Sequence, residues 1–176
     1  VVSSVLDNCN DFVTAAGDDG LESIMALELG ETQVYLEEKK KEEEEGKKNG
    51  EWLEYKGFEY RFIEQRMNYN GHNNNAKKFK ANMISITSEA EYKFVREKVC
   101  KRREILLGCY RIGRGNGKGP RHWKWTDGSK WTIEKWNPGE PNNAGGRENR
   151  VHQYAHNGMW NDIHQGHATH SVYKRK

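Results

Sequence analysis

The chain has 176 residues, 29 of them Lys or Arg against 26 Asp or Glu. Charges so nearly balanced, and scattered along the chain, leave no basic footprint for nucleic acid. No apolar run approaches the roughly 20 residues of a membrane span, and the length suits one domain with a tail. All six tryptophans (Trp52, Trp123, Trp125, Trp131, Trp136 and Trp160) fall after residue 50. Aromatic side chains bring large buried areas, so the expected organisation is a leader over 1–50 and a compact domain over 51–176.

Taken in order, residues 1–20 carry little periodicity, and the chain starts at Val1 rather than Met, which reads as a mature or trimmed piece. Leu21 to Leu36 is helical in pattern, with Gly30 expected to interrupt it. Glu37 to Lys48 is almost wholly Glu and Lys, a solvated helix or a flexible linker. A neck that oligomerises the domain is the functional alternative, against which stands the lack of a clean heptad. Residues 51–66 alternate aromatic and polar side chains around Gly57, the pattern of a hairpin with one buried face. The asparagines at 68, 70, 73, 74 and 75 make residues 67–81 poor in helix formers. Met83 to Ile86 reads as a short strand. Ser88 and Glu91 make a capping box for a helix carrying Phe94, Val95 and Val99 on one face. Ile105 to Gly113 reads as one further strand, and Trp123 to Trp131 as two strands joined at Asp127-Gly128. Val151 to Tyr154 and Ser171 to Lys174 are the expected final strands. Short mixed strands with two helices predict an α+β fold.

The stretch from Trp136 to Asp162 gathers hard oxygen donors, Glu140, Asn142, Glu148, Asn161 and Asp162, among glycines and a proline. That composition suits a shaped loop, and calcium takes about 6–8 such oxygens. Glu140-Pro141-Asn142, then Glu148-Asn149, then Trp160-Asn161-Asp162, following Trp123-Lys124-Trp125-Thr126-Asp127-Gly128-Ser129, together resemble the calcium-dependent sugar-binding site of C-type lectins.

The resemblance implies the C-type lectin-like fold and a Ca2+ ion held by Glu140, Asn142, Glu148, Asn161 and Asp162, with the Asp162 carbonyl as a further ligand. Glu140, Asn142, Glu148 and Asn161 would also meet the sugar. The Glu-Pro-Asn order goes with mannose-type glycans, and the family's Glu140–Pro141 bond is cis. An accessory calcium site is not expected, because Asn143 and Asn149 stand where the family has acidic residues. Arg111 stands where a core tryptophan is usual, and the family's first helix falls on residues 67–81, where the asparagines make a late-starting or frayed helix the expectation. The resemblance also implies a secreted protein, in tension with the cysteines. The family's cysteine positions fall on Lys48, Glu59, Ala76, Arg150, Gln165 and Tyr173 here, and none is cysteine. Cys9, Cys100 and Cys109 lie elsewhere and read as free thiols, with a Cys100–Cys109 bridge as the alternative. Were the ligand set idle, the fold would serve as a scaffold for a protein or ice.

Two other features point to no enzyme. The Gly- and Lys-rich loop from Gly113 to Pro120 lacks the Gly-Lys-Ser/Thr ending of a phosphate loop. His152, His156, His164, His167 and His170 crowd the C-terminal end. The spacing His164-x-x-His167-x-x-His170 could invite zinc or nickel, but the His-Glu-x-x-His of a metalloprotease is absent. The expectation is a solvated, His-rich surface.

Overall fold

A computed structural model describes residues 30–37, 40 and 50–176. Contacts divide the chain into two units, Val1–Glu45 and Gly46–Lys176. In the first unit, residues 30–37 are helical, with Gly30 the first of them described, and Val34, Tyr35 and Leu36 are exposed. The Leu21–Leu29 part of the expected helix and residues 41–48 of the Glu- and Lys-rich run lie outside the described residues. No helix among the described residues is long and apolar enough to cross a membrane.

The second unit opens with a hairpin, β1 (Leu53–Tyr55) and β2 (Phe58–Met67). Lys56 and Gly57 both have positive φ, 51° and 76°, as a tight two-residue hairpin turn requires. Helix α1 (Tyr69–Lys78) starts immediately after Asn68, whose side chain accepts from the Gly71 N–H. The asparagines therefore do not fray it. Asn68 satisfies an orphan donor, and Tyr69, His72 and Ala76 are buried. Strand β3 (Asn82–Met83) leads to helix α2 (Glu89–Phe94), which continues as a wider π-helical turn over Val95–Val99. Ser88 caps α2 by accepting from the Glu91 N–H at 3.2 Å. Glu91 reaches back to the N–H and hydroxyl of Thr87 instead of to Ser88, at 2.7 and 2.9 Å.

The segment expected as one strand divides into β4 (Ile105–Leu106) and β5 (Cys109–Arg111), which belong to different sheets. Gly108 marks the break: its N–H donates to the Ile84 carbonyl at 2.8 Å, and a Cβ there would collide with the Met83 carbonyl. Strand β6 (Trp123–Trp125) pairs with β5, not with residues 129–131. Asp127 turns the chain by accepting from the Ser129 N–H, and the Trp131 ring stacks on Trp125 at 4.6 Å instead of extending the ladder. Strands β7 (Glu148–Gln153), β8 (Trp160–His164) and β9 (Thr169–Arg175) complete the domain. The main sheet runs β1-β2-β9-β4-β7-β8, with β3 also on β9. All its pairings are antiparallel except β4 with β9. Helices and short mixed strands make this an α+β fold.

The family's disulfide positions are filled by other contacts. Tyr173 and Ala76 share one buried cluster, and the Tyr173 hydroxyl lies 3.0 Å from His72 Nδ1. Burial lowers the His72 pKa to about 4, so the ring is neutral there. The Arg150 guanidinium covers the Tyr69 ring at 4.1 Å, and Gln165 donates to Asn70 Oδ1. Both therefore tie the β7–β8 region to α1. Glu59 pairs with Arg175 at 2.6 Å, while Lys48 and Cys9 lie outside the described residues. Cys100 and Cys109 are buried free thiols, and burial pushes the Cys100 pKa up to about 11.

Candidate functional site

The loop between β6 and β7 rests on tryptophan. Trp125 and Trp136 each meet Trp160 edge to face, at 5.9 and 6.0 Å, and Trp123 lies 5.1 Å from Trp136. Such pairs add about 0.5–1.5 kcal/mol each beyond burial. Trp160 also fixes the loop through its backbone, accepting from Asn137 at 2.9 Å and donating to Lys135 at 2.6 Å. Successive side chains of β8 point to opposite faces of the sheet. Trp160 is buried in the core, Asn161 is half-buried and Asp162 is buried.

On this platform the chain turns sharply. The Glu140–Pro141 peptide bond is cis, and Asn143 takes a left-handed conformation (φ 49°). A short 3-10 turn, Ala144–Gly146, leads into β7. Asp162 organises the turn, because Oδ1 accepts from the Asn142 N–H at 2.9 Å and Oδ2 from the Asn143 N–H at 2.8 Å. Asn142 donates its side-chain amide to Glu140 Oε1 at 3.0 Å. The Ala144 N–H is shared by Asn142 Oδ1 and Glu148 Oε2, at 2.8 and 2.7 Å. Glu140, Asn142, Glu148 and Asp162 are thus brought together. Asn161 stands on β8 opposite His152, its amide nitrogen 3.2 Å from His152 Nε2.

The electrostatics are those of crowded carboxylates. Burial and the Asp162 charge both raise the Glu140 pKa. Burial also raises that of Glu148, with Asp162 adding to it. Glu140 Oε2 is buried with no hydrogen-bond partner, an expensive state for a carboxylate oxygen. A divalent cation answers both features, and the donors are the oxygens calcium prefers. The chemistry of the donors therefore fits calcium, which Glu140, Asn142, Glu148 and Asp162 would hold, with Asn161 reaching it from the next position on β8.

One cation is already built in. Arg111, on β5, donates Nη2 to Asp162 Oδ2 and Nε to the Glu148 carbonyl, the latter at 2.7 Å. Its guanidinium lies 4.4 Å over the Trp123 ring, a stacked cation–π arrangement. In the sequence Arg111 reads as a packing departure, and this role is missed. The available signal was a lone arginine at an inward, aromatic position of a strand leading toward three carboxylates.

The histidines do not form one surface. His152 is 4% exposed on β7, and His167 joins it at the Glu104 carboxylate. His164 accepts from the Gly166 N–H, His170 lies against Phe62, and exposed His156 lies against Tyr154. The expected solvated His-rich surface is therefore corrected at His152, which is buried because β7 is a central strand. Glu104 escapes a sequence reading, since nothing in the sequence links it to residues 48 and 63 positions away.

Comparison with known proteins places these observations. The Lectin C-type domain model matches residues 65–172, more than half of the chain. Ladderlectin of Oncorhynchus mykiss is 31% identical over 118 residues, covering 66% of this chain and 62% of the relative. A C-type lectin mannose-binding isoform of Oxyuranus scutellatus is 34% identical over 118 residues, covering 64% of this chain and 73% of the relative. The cow CD23 carbohydrate-recognition domain, solved in the presence of a GlcNAc2Man3 oligosaccharide, is similar with a TM-score of 0.61 at 25% identity. That match covers 70% of this chain and 92% of the solved one. The matched part spans less than two thirds of ladderlectin. With the fold, the tryptophan platform and the family match together, the chain belongs to the C-type lectin domain family.

Proposed function

We propose that this chain is a calcium-dependent lectin for mannose-type sugars. The observation that carries the reading is the buried, unpartnered Glu140 Oε2 beside Glu148 and Asp162. It is supported by the Glu-Pro-Asn order and by the similarity to a relative named for mannose binding. Calcium, when bound, supplies a centre whose ligand shell two neighbouring sugar hydroxyls complete. Carboxylates of Glu140 and Glu148 accept hydrogen bonds from those hydroxyls, and the amides of Asn142 and Asn161 donate to them. The Asn142 amide donates to Glu140, so it has to turn outward to reach a sugar. The family is one of lectins, not enzymes. A secreted setting, a recognition domain over 51–176 and oligomerisation through residues 1–50 complete the proposal. Several copies would provide the avidity that a shallow single-sugar site lacks.

The test is retention on immobilised mannose with calcium, and elution by a chelator. Asn142→Ala should abolish retention while leaving the melting temperature within a few degrees, because Asn142 holds Asp162 through its backbone N–H. Better retention on galactose than on mannose would overturn the specificity. Acid should also release the sugar. Because Glu140 and Glu148 bind protons more readily than ordinary carboxyls, calcium loss should begin above the usual carboxylate range of about 4–5. The sign is set by the raised pKa values. In the metal-free chain these charges oppose folding at neutral pH, and acid relieves them as it expels calcium. Retention unchanged at about pH 4 would count against the calcium mechanism.

The second reading, a scaffold that binds a protein or ice without sugar, rests on Arg111. Its bonds to Asp162 and Glu148 hold the loop without an added ion. Retention of a partner by Asn142→Ala, with no mannose binding by the parent chain, would favour it.

A further inference from the structure

A second metal-ligand set lies outside the sugar loop. Glu104, His152 and His167 each offer one ligand atom, and these atoms all lie within 4.8 Å of one another. Glu104 Oε1 is the common acceptor, 2.6 Å from His152 Nδ1 and 2.9 Å from His167 Nε2. The three residues come from three places in the chain: the turn before β4, the end of β7, and the β8–β9 connection. The sheet itself therefore holds them together. His152 is 5% exposed at its side chain, whereas Glu104 and His167 are 27% and 30% exposed. One ligand is thus rigidly set and the other two stand at an edge that a solvated ion can reach.

We propose that Glu104, His152 and His167 form a zinc-class transition-metal site, and that filling it weakens calcium binding through Asn161. Two imidazoles and a carboxylate are the donor types of an open zinc site, with solvent in the fourth position. Bond lengths of about 2.0–2.2 Å in a tetrahedron place ligand atoms about 3.3 Å apart. The two close pairs here must open by about half an ångström, within the reach of a glutamate torsion. No proton need leave the protein. The Nδ1–H of His152 and the Nε2–H of His167 now donate to Glu104, and when those nitrogens ligate a metal the protons of the two neutral rings reside on His152 Nε2 and His167 Nδ1.

That relocation reaches the sugar loop. Nε2 of His152 now accepts from the Asn161 amide at 3.2 Å. Once it carries the proton it needs an acceptor, and rotation of the Asn161 amide supplies Oδ1. The oxygen turned to His152 is then withdrawn from calcium. This second half rests on the calcium reading above; the first half does not. By reciprocity calcium weakens the zinc-class metal by the same factor.

Calorimetric titration of zinc into the calcium-free full chain tests the site. One zinc per chain is expected, at least tenfold weaker in Glu104→Gln and in His167→Gln and unchanged in His156→Gln. Circular dichroism confirms that each variant is folded before titration. Absence of binding, or binding that survives in both the Glu104 and His167 variants, overturns the site. Calcium is then titrated with zinc present and absent. A fivefold or greater weakening by zinc, lost in His167→Gln, supports the coupling, and an unchanged calcium affinity overturns it while leaving the site. Zinc binding with no calcium binding at all supports the zinc site but overturns the calcium reading and its coupling.

Discussion

Asp162→Ala should destabilise the domain by about 3–5 kcal/mol, the cost of stranding a buried charge. Asp162 is 0% exposed and the Arg111 side chain opposite it only 8%. The substitution also leaves the N–H groups of Asn142 and Asn143 without their acceptor, at about 1–3 kcal/mol for each one that stays buried. These costs overlap, so the larger estimate is the one to test. Urea unfolding in a chelator isolates this role from any calcium ligation. Pairing the substitution with Arg111→Met should restore a large part of the loss, since no buried guanidinium then remains unpaired. A double-mutant cycle gives the coupling directly. Additive losses in the cycle would show that Arg111 and Asp162 do not act as a pair.

Lys174→Met should produce a comparable loss from the other side of the core. Lys174 donates to Glu91 at 2.6 Å, with side chains only 8% and 6% exposed. The Glu91 carboxylate also accepts from the Tyr60 hydroxyl at 2.8 Å and from Thr87. Burial alone would raise the Glu91 pKa, but Lys174, Thr87 and Tyr60 outweigh it and the net direction is down. A carboxyl with a depressed folded pKa contributes stability above its unfolded pKa, and that contribution is lost as pH falls through the folded value. The parent chain should therefore weaken on acidification below about 4.3, the ordinary glutamate value. In Lys174→Met the Glu91 charge is stranded, and the loss at neutral pH is about 3–5 kcal/mol. That variant should regain part of its stability in mild acid, opposite to the parent. Parallel melting curves against pH for the two proteins would refute this.

Local chemistry made much of this architecture legible. The alternation around Gly57 and the Ser88 cap each depend on neighbours in sequence and lie where they are expected, and β7 and β9 begin two or three residues before the expected starts at Val151 and Ser171. Asn68 misled because an asparagine is a poor helix interior and a good cap, and only position distinguishes the two. The break at Gly108 was hidden for a different reason. It is caused by the backbone of Met83, more than twenty residues away in sequence. At the 136–162 loop, residue types and spacing pointed to the proposed calcium ligands, while the bond from Arg111 to Asp162 depends on a strand from another sheet. Glu104, His152 and His167 come together only through the β4–β7 and β4–β9 pairings, which no linear pattern reveals.

The pairing of β2 with β9 matches Glu59 with Arg175, so the first long strand begins where the last one ends. Adjacent strands lie about 4.8 Å apart. Because Tyr60 pairs with both Leu53 and Lys174, the start of β1 and the end of β9 lie two strand spacings apart, like a plug with both leads on one face. Spliced into a surface loop of a host protein, it would ask for a gap only a few strand widths across, and a short glycine bridge could close it into a circular permutant.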